Sequence, residues 1–470
     1  VIRERLGVVA LALVASGCMV GPDFQRPAGS LPPAYPDAAA VATPADTVPH
    51  DWWKLFNDPQ LDDLVASALA NNTDVQRATA RIEETDANLR AVDASFLPEV
   101  DLGGTANRTG YSGTLAVPSS APSVRNDLRF ALSTSYEIDF WGKIRRASEA
   151  ARAQTMGSRY AKDVVMLSLA GLTTQAYFSL RSLDAQIATT RTTLASREDG
   201  LNLVRRRADA GYASDLDLRQ AEGARSDAAA QLSELTRQRA IALHQLGTLT
   251  GRLDITIASG NLATLPLPAQ PPAGLPSALL ERRPDLRLAE QDLVAANAKI
   301  GVAEAVRLPS ISLTGFLGGE SRALGLLFEG PARIWSVGAG FTVPLFDAGR
   351  LAALADAERA RYKQTVATYN QTMQTAFREV ADALTNVSQL ATTEVALQSS
   401  VTSAREALRL AQRRYEAGYS GFLDVLDAQR ATNLTELALI RNRQALLAAN
   451  VDLMKALGGG WYPAEATAAR

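Results

Sequence analysis

The sequence predicts a mainly α-helical chain with a transmembrane β part, the whole plan written twice in tandem. Three observations carry that reading. A set of short motifs recurs in the same order at an offset of about 207 to 211 residues. Two stretches without proline, between Pro122 and Pro266 and between Pro344 and Pro463, leave room for very long helices. Before each of them the hydrophobic pattern switches to a period of two, as in a strand with one face in lipid.

The elements follow in chain order. Residues 1–17 read as a signal peptide, with Arg3 and Arg5 ahead of the apolar run Leu6 to Ala15. That run is far short of the ~20 residues a spanning helix needs. Ser16-Gly17-Cys18 looks like a bacterial lipobox, which makes Cys18 an acylated N-terminus and a covalent lipid, palmitate included, its expected modification. Several acyl chains anchor stably, since each buried methylene contributes about 0.8 kcal/mol. Met19 follows the cysteine, where lipoproteins kept in the inner membrane carry Asp, so the outer membrane is the expected destination. Residues 18–50 read as an extended linker, and Trp52 and Trp53 are expected to pack it down.

Repeat one is placed at 51–264 and repeat two at 277–460, joined by the Pro-rich segment 265–276 and followed by a tail, 461–470. Arg206-Arg207 with Gly211-Tyr212 returns as Arg413-Arg414 with Gly418-Tyr419, and Leu216-Asp217 as Leu423-Asp424. Leu97-Pro98 returns as Leu308-Pro309, and Asp74 as Asp285. Each repeat begins with a helix. Strands are expected at about 98–108 and 127–140, then at about 309–318 and 334–346. In the second of these Leu128, Phe130, Leu132, Tyr136 and Ile138 alternate with Asp127, Arg129, Ser133, Ser135 and Glu137. The Gly-rich stretches Gly103 to Asn126 and Gly318 to Arg333 read as loops. Then comes a long helix with apolar residues at steps of three and four, such as Val366, Tyr369, Met373, Phe377 and Val380. From Gly349 to Ala417 it would extend roughly 100 Å at 1.5 Å per residue. The hairpins turn near 211 and 418.

Periodicity alone fits a half-buried soluble sheet as well as a lipid-facing one. If the strands face lipid, they cannot end in unpaired edges, and four are too few for a barrel of at least about eight. The chain must then pool strands with copies of itself, and three copies give twelve. Composition narrows the rest. Of 470 residues 47% are hydrophobic, 6% aromatic and 21% charged, and the formal charge of −2 gives no case for nucleic acid. Two histidines (His50 and His244) and one cysteine leave no set for a zinc site, a histidine triad or an internal disulfide, so no enzyme, metal or cofactor is expected beyond the lipid on Cys18.

Across nearly its whole length the sequence resembles the TolC-like outer-membrane factors of tripartite efflux systems, in particular the lipid-anchored NodT-type branch. The resemblance rests on Gly21-Pro22-Asp23-Phe24, Trp52-Trp53, Tyr136-Glu137-Ile138-Asp139-Phe140, Arg283-Pro284-Asp285 and Pro344-Leu345-Phe346-Asp347-Ala348-Gly349-Arg350. Glu379-Val380-Ala381-Asp382 and Leu426-Asp427-Ala428-Gln429-Arg430 complete it. It implies a homotrimer with a 12-stranded β-barrel in outer-membrane lipid and a 12-helix periplasmic α-barrel. It also implies a periplasmic membrane-fusion adaptor and an inner-membrane RND-type transporter as partners, the chain being a passive, gated duct. The alternative is a periplasmic coiled-coil adaptor or scaffold with no pore.

The two hairpins differ in charge. Copy one has Asp217, Gln220 and Gly223 where copy two has Asp424, Asp427 and Arg430. Only copy two therefore carries a carboxylate pair at i, i+3, on one helical face. An alternative role for Asp424 is simply to favour the helix N-terminus. The resemblance implies a periplasmic gate of Leu423 and Asp427, joined here by Asp424, with Arg430 holding the helices shut. It also makes the turns, Gly211, Tyr212 and Ser214 in copy one and Gly418, Tyr419 and Ser420 in copy two, the expected adaptor contacts; tight turns alone would equally use those glycines.

Overall fold

A computed structural model describes residues 19–27, 31–35, 48–112, 114, 124–268 and 279–460. The signal peptide, Cys18, much of the linker, most of the Pro-rich joint and the C-terminal tail lie outside them. The elements are α1 (Pro59–Asn71), α2 (Thr73–Ala94), β1 (Glu99–Gly110), β2 (Val124–Ile138), α3 (Lys143–Asp209) and α4 (Asp215–Thr250). They continue with α5 (Leu279–Arg282), α6 (Pro284–Ala305), β3 (Ser310–Ser321), β4 (Arg333–Thr342), α7 (Arg350–Glu416) and α8 (Phe422–Ala456). The duplication is visible in length: α3 and α7 have 67 residues each, α4 and α8 have 36 and 35. Among the described residues no helix is long and apolar enough to cross a membrane. Two compact units emerge, one from Val1–Ala28, Arg81–Arg159 and Leu288–Tyr369, the other from Gly29–Ala80, Tyr160–Arg287 and Asn370–Arg470.

The first unit holds an antiparallel sheet in the order β1-β2-β3-β4. Its register turns the period-two pattern into two chemically distinct faces. Leu102, Leu132, Leu317 and Trp335 form one row across all four strands, and all are exposed. The neighbouring row, on the opposite face, is Asp101, Ser133, Phe316 and Ser336. A large apolar face left open to the surroundings is the mark of a surface made for lipid or a partner, and among the described residues β1 and β4 each keep one unpaired edge.

The strands differ from the expected spans at both ends. β1 runs two residues past the expected 98–108 to Gly110, Val124–Asn126, expected as loop, pair with its end residue for residue, and β3 runs on to Ser321. Glycine weakens a strand through entropy, but here the continuous backbone pairing with β2 outweighs it. At the other end β2 stops at Ile138 and β4 at Thr342, short of Phe140 and Phe346. Asp139 leaves the sheet because its carboxylate accepts from the Ile144 and Arg145 N–H groups (2.9 and 3.0 Å), covering the open first turn of α3. Asp347 does the same for Leu351 at 2.8 Å in α7. These two N–H donors, Leu351 and then Gly349, hold the Asp347 carboxyl below the usual range. Gly142 (φ +78°) and Gly349 (φ +85°) make the matching reversals before the long helices.

Residues 19–27 form a strap across this unit. The Arg146 side chain, 2% exposed, donates to the carbonyls of Val20 and Gly21 (both 3.3 Å) and to Asp23 Oδ1 and Glu149 Oε2 (both 2.8 Å). Asn297 donates to Pro22 O at 2.7 Å, and Arg26 pairs with Glu290 at 2.7 Å. Gly21, at φ +96°, approaches Gly301 so closely that a Cβ would lie 2.5 Å from the Gly301 Cα. The strap thus joins the start of α3 in repeat one to α6 in repeat two.

In the second unit Trp52, Trp53 and Phe56 are buried, with Phe56 edge-to-face on Phe178 at 4.9 Å. Asp58 caps α1 through Gln60 N (2.9 Å) and accepts the Tyr177 hydroxyl. Buried Arg181 donates to Tyr177 Oη (2.9 Å) and Asp184 (3.2 Å). Burial pushes the Tyr177 hydroxyl far above its usual range, and that of Tyr35 up to about 12. The folded state therefore binds these protons more tightly than the unfolded one, and stability falls as pH rises past the unfolded value of about 10. Thermal melting of wild type and Tyr177→Phe from about pH 8 to 11 checks this. The variant loses about 1 kcal/mol at neutral pH and declines less steeply in alkali; equal slopes would contradict the assignment.

Candidate functional site

Each hairpin in the second unit turns on one left-handed glycine, Gly211 at φ +77° and Gly418 at φ +75°. A Cβ at either would meet nothing within 4 Å, so the backbone conformation, and not crowding, requires glycine there. The closing hydrogen bonds match pair by pair. Tyr212 N donates to Arg207 O at 2.7 Å and Tyr419 N to Arg414 O at 2.8 Å. Gly211 N donates to Ala208 O at 2.9 Å and Gly418 N to Tyr415 O at 3.0 Å. Both tyrosine side chains stand free, Tyr212 85% and Tyr419 80% exposed.

The helices that leave the turns start differently. In copy one Ser214 and Asp217 form a reciprocal capping box: Ser214 Oγ accepts from Asp217 N at 3.1 Å, and the Asp217 carboxylate accepts from Ser214 N at 3.2 Å. Copy two has Gly421 at that place and no side-chain cap. Loss of such a cap costs typically about 1 kcal/mol, so the copy-two hairpin is the less firmly started of the two. Ser420 Oγ is buried without a hydrogen-bond partner among the described residues.

Helix α8 then presents two faces. Phe422, Val425 and Leu426 are buried in a cluster with Val204, Ala221, Ala224 and Tyr415. Leu423, Asp424, Asp427 and Arg430 are exposed on the other side. The four candidate gate residues thus share a face that this chain leaves uncovered. The Asp427 and Arg430 side chains, 63% and 57% exposed, approach to only 3.5 Å, a weak surface contact. Among the described residues no group of three or more His, Cys, Asp or Glu side chains is placed to hold a metal ion.

Sequence reasoning missed the arginines that organise these units. Arg146 grips the strap, and buried Arg283 pairs with Asp285 and Glu379 (both 2.7 Å) while donating to Ala456 O at 3.1 Å. Arg283 and its partners line a cavity of about 390 Å³ with Asp382, Asp452 and Lys455. Arg207 belongs to the quoted repeat motif, but its contacts are with the other repeat. The one available signal was a cation in the last turn of a helix, where free carbonyls attract it.

The comparisons with known proteins agree with this geometry. The family described as "Outer membrane efflux protein" matches residues 64–252 and 275–459, one segment for each repeat. The chain is 37% identical over 466 residues to outer membrane protein OprJ of Pseudomonas aeruginosa, covering 98% of this chain and 97% of OprJ. Among solved structures it is similar to the CmeC outer membrane channel of Campylobacter jejuni, with TM-score 0.87, 26% identity and 95% and 96% of the two chains covered. It is also similar to the open state of the MtrE outer membrane channel of Neisseria gonorrhoeae, with TM-score 0.83, 31% identity and 95% and 99% covered.

Proposed function

Since this chain belongs to the outer membrane efflux protein family, we propose that three copies close into a gated exit duct fed by an adaptor and an inner-membrane transporter. The chain itself is an efflux channel of the outer membrane with a periplasmic extension. The match spans both repeats, and nothing favours an adaptor without a pore.

One observation carries the trimer: a four-stranded sheet with an exposed apolar face and an open edge on both β1 and β4. In lipid those edges need partners. Pairing β4 of one copy with β1 of the next supplies them without any further element. The duct has no energy source of its own, so an inner-membrane RND-type transporter drives the flow and a membrane-fusion adaptor bridges to it. Cys18 carries the lipid anchor, and the residue after it supports an anchor near the membrane part: a Cβ on Gly142 would lie 2.7 Å from the Met19 side chain. Leu423, Asp424, Asp427 and Arg430 form the periplasmic gate. The adaptor docks on Gly211, Tyr212 and Ser214 and on Gly418, Tyr419 and Ser420; the unpartnered Ser420 hydroxyl supports a partner there.

The mass of the detergent-solubilised protein tests the assembly; three chains per particle is the expected result, and a monomer overturns it. Photo-crosslinkers placed at Tyr212 and Tyr419 test the docking. Adducts with the adaptor are expected from both positions, and their absence at both contradicts docking at the turns.

A further inference from the structure

We propose that Arg414 is a latch between subunits, gripping the end of α3 in the next copy as Arg207 grips the end of α7 within one chain. The inference rests on the trimeric reading above and adds to it a specific contact. Arg207 donates from Nη1 to Tyr415 O at 3.2 Å and from Nη2 to Glu416 O at 3.3 Å, and its guanidinium lies over the Tyr415 ring at 4.5 Å. The carbonyls it reaches belong to the last turn of α7, at the negative end of the helix dipole, where Tyr415 O also accepts from Gly418 N at 3.0 Å. A cation with a planar fork of donors suits that place.

The repeat offset carries Arg207 onto Arg414, and Tyr415 and Glu416 onto Ala208 and Asp209. The two arginines sit at the same step before the same glycine turn, with the same closing hydrogen bond on their carbonyls. Their surroundings differ. Arg207 is half-buried and engaged, whereas Arg414 is exposed and its side chain makes no hydrogen bond or ion pair among the described residues. The end of α3 is the complementary vacancy: Asp209 is exposed, and its carbonyl accepts no side-chain hydrogen bond among the described residues.

A ring of three duplicated chains has hairpins alternating between copy one and copy two. The junction from copy one to copy two lies within a chain, and the junction from copy two to copy one lies between chains. A ring built on the repeat makes the second junction a likeness of the first. Arg414 then meets the carbonyls of Ala208 of the partner subunit and Asp209 of the partner subunit, and in addition the Asp209 carboxylate of the partner subunit. One component is missing from the likeness. Alanine stands where Tyr415 would offer its ring, so the grip between chains lacks the cation–π contact that Arg207 has. The seam between subunits is therefore the weaker one, and the tip parts there first.

The test uses full-length protein in detergent and in planar lipid bilayers. The double variant Asp209→Cys with Arg414→Cys, treated with a short bifunctional maleimide, should give covalent dimers and trimers on denaturing gels. Neither single variant should do so, which also controls for Cys18. Monomers alone from particles of trimeric mass overturn the latch and leave the channel reading intact; particles that are not trimers overturn both. On trimers of wild-type mass, Arg414→Ala should raise the open probability about tenfold, the scale of one lost charge-assisted hydrogen bond. Arg414→Lys should recover part of the closure. An open probability unchanged in Arg414→Ala overturns the proposal.

Discussion

Trimers carrying Asp427→Ala are expected to conduct several-fold more than wild type in millimolar magnesium and to lose the response to chelation of the ion. Asp424 and Asp427 lie exposed on the α8 face opposite Phe422, Val425 and Leu426. In the proposed trimer, rings of such carboxylates on the axis would repel one another, by about 1 kcal/mol per pair at 4 Å even in water. On the proposed gate, closure therefore needs divalent cations to neutralise the ring. On that proposal the variant would lose the cation bridge together with the observed Asp427–Arg430 contact, leaving Leu423 as the remaining seal. Single-channel recording with and without a chelator measures both effects, and a wild-type magnesium response in the variant would refute a role for Asp427 in the gate.

Arg146→Ala is expected to cost about 3 kcal/mol of stability per chain, the lower end of the range for breaking a buried ion pair. The lower end applies because the partners are not equally hidden: Asp23 is 87% exposed and Glu149 31%. Water can therefore take over part of their solvation once the guanidinium is gone. The carbonyls of Val20 and Gly21 lose their donor as well, so the strap comes away from α3 and α6. Hydrogen exchange at Val20, whose N–H donates to Trp141 O at 3.1 Å, should speed up in step with the lower melting temperature. Gly21→Ala should give the same signature through a clash with Gly301. A strap amide as protected as in wild type would refute the assignment.

The parts of this molecule that were legible in its sequence are those written with a period. Alternation from Leu128 to Ile138 marks the strand face, and steps of three and four from Val366 onward mark the long helix. The extent of the strands was less legible. Gly103 and Gly104 carry loop-like side-chain chemistry, while the pairing that fixes them belongs to the backbone of β2. The partners of the arginines were not legible, because the contacts join residues far apart in the chain. Arg146 meets Asp23 across 123 positions, and Arg207 meets Tyr415 across 208. The gate face was half legible: the i, i+3 spacing put Asp424 and Asp427 together, but which side of α8 the core claims depended on Val204, Ala221 and Ala224 of the other repeat.

The equal length of α3 and α7 restricts how this chain can change. A single residue deleted from one of them would rotate everything beyond it by about 100° and shorten its reach by ~1.5 Å. Arg207 and Tyr415 would lose their facing, and the unaltered twin could not follow. Tolerated insertions and deletions must therefore come in twinned sets, or as sevens that restore the phase of the apolar seam.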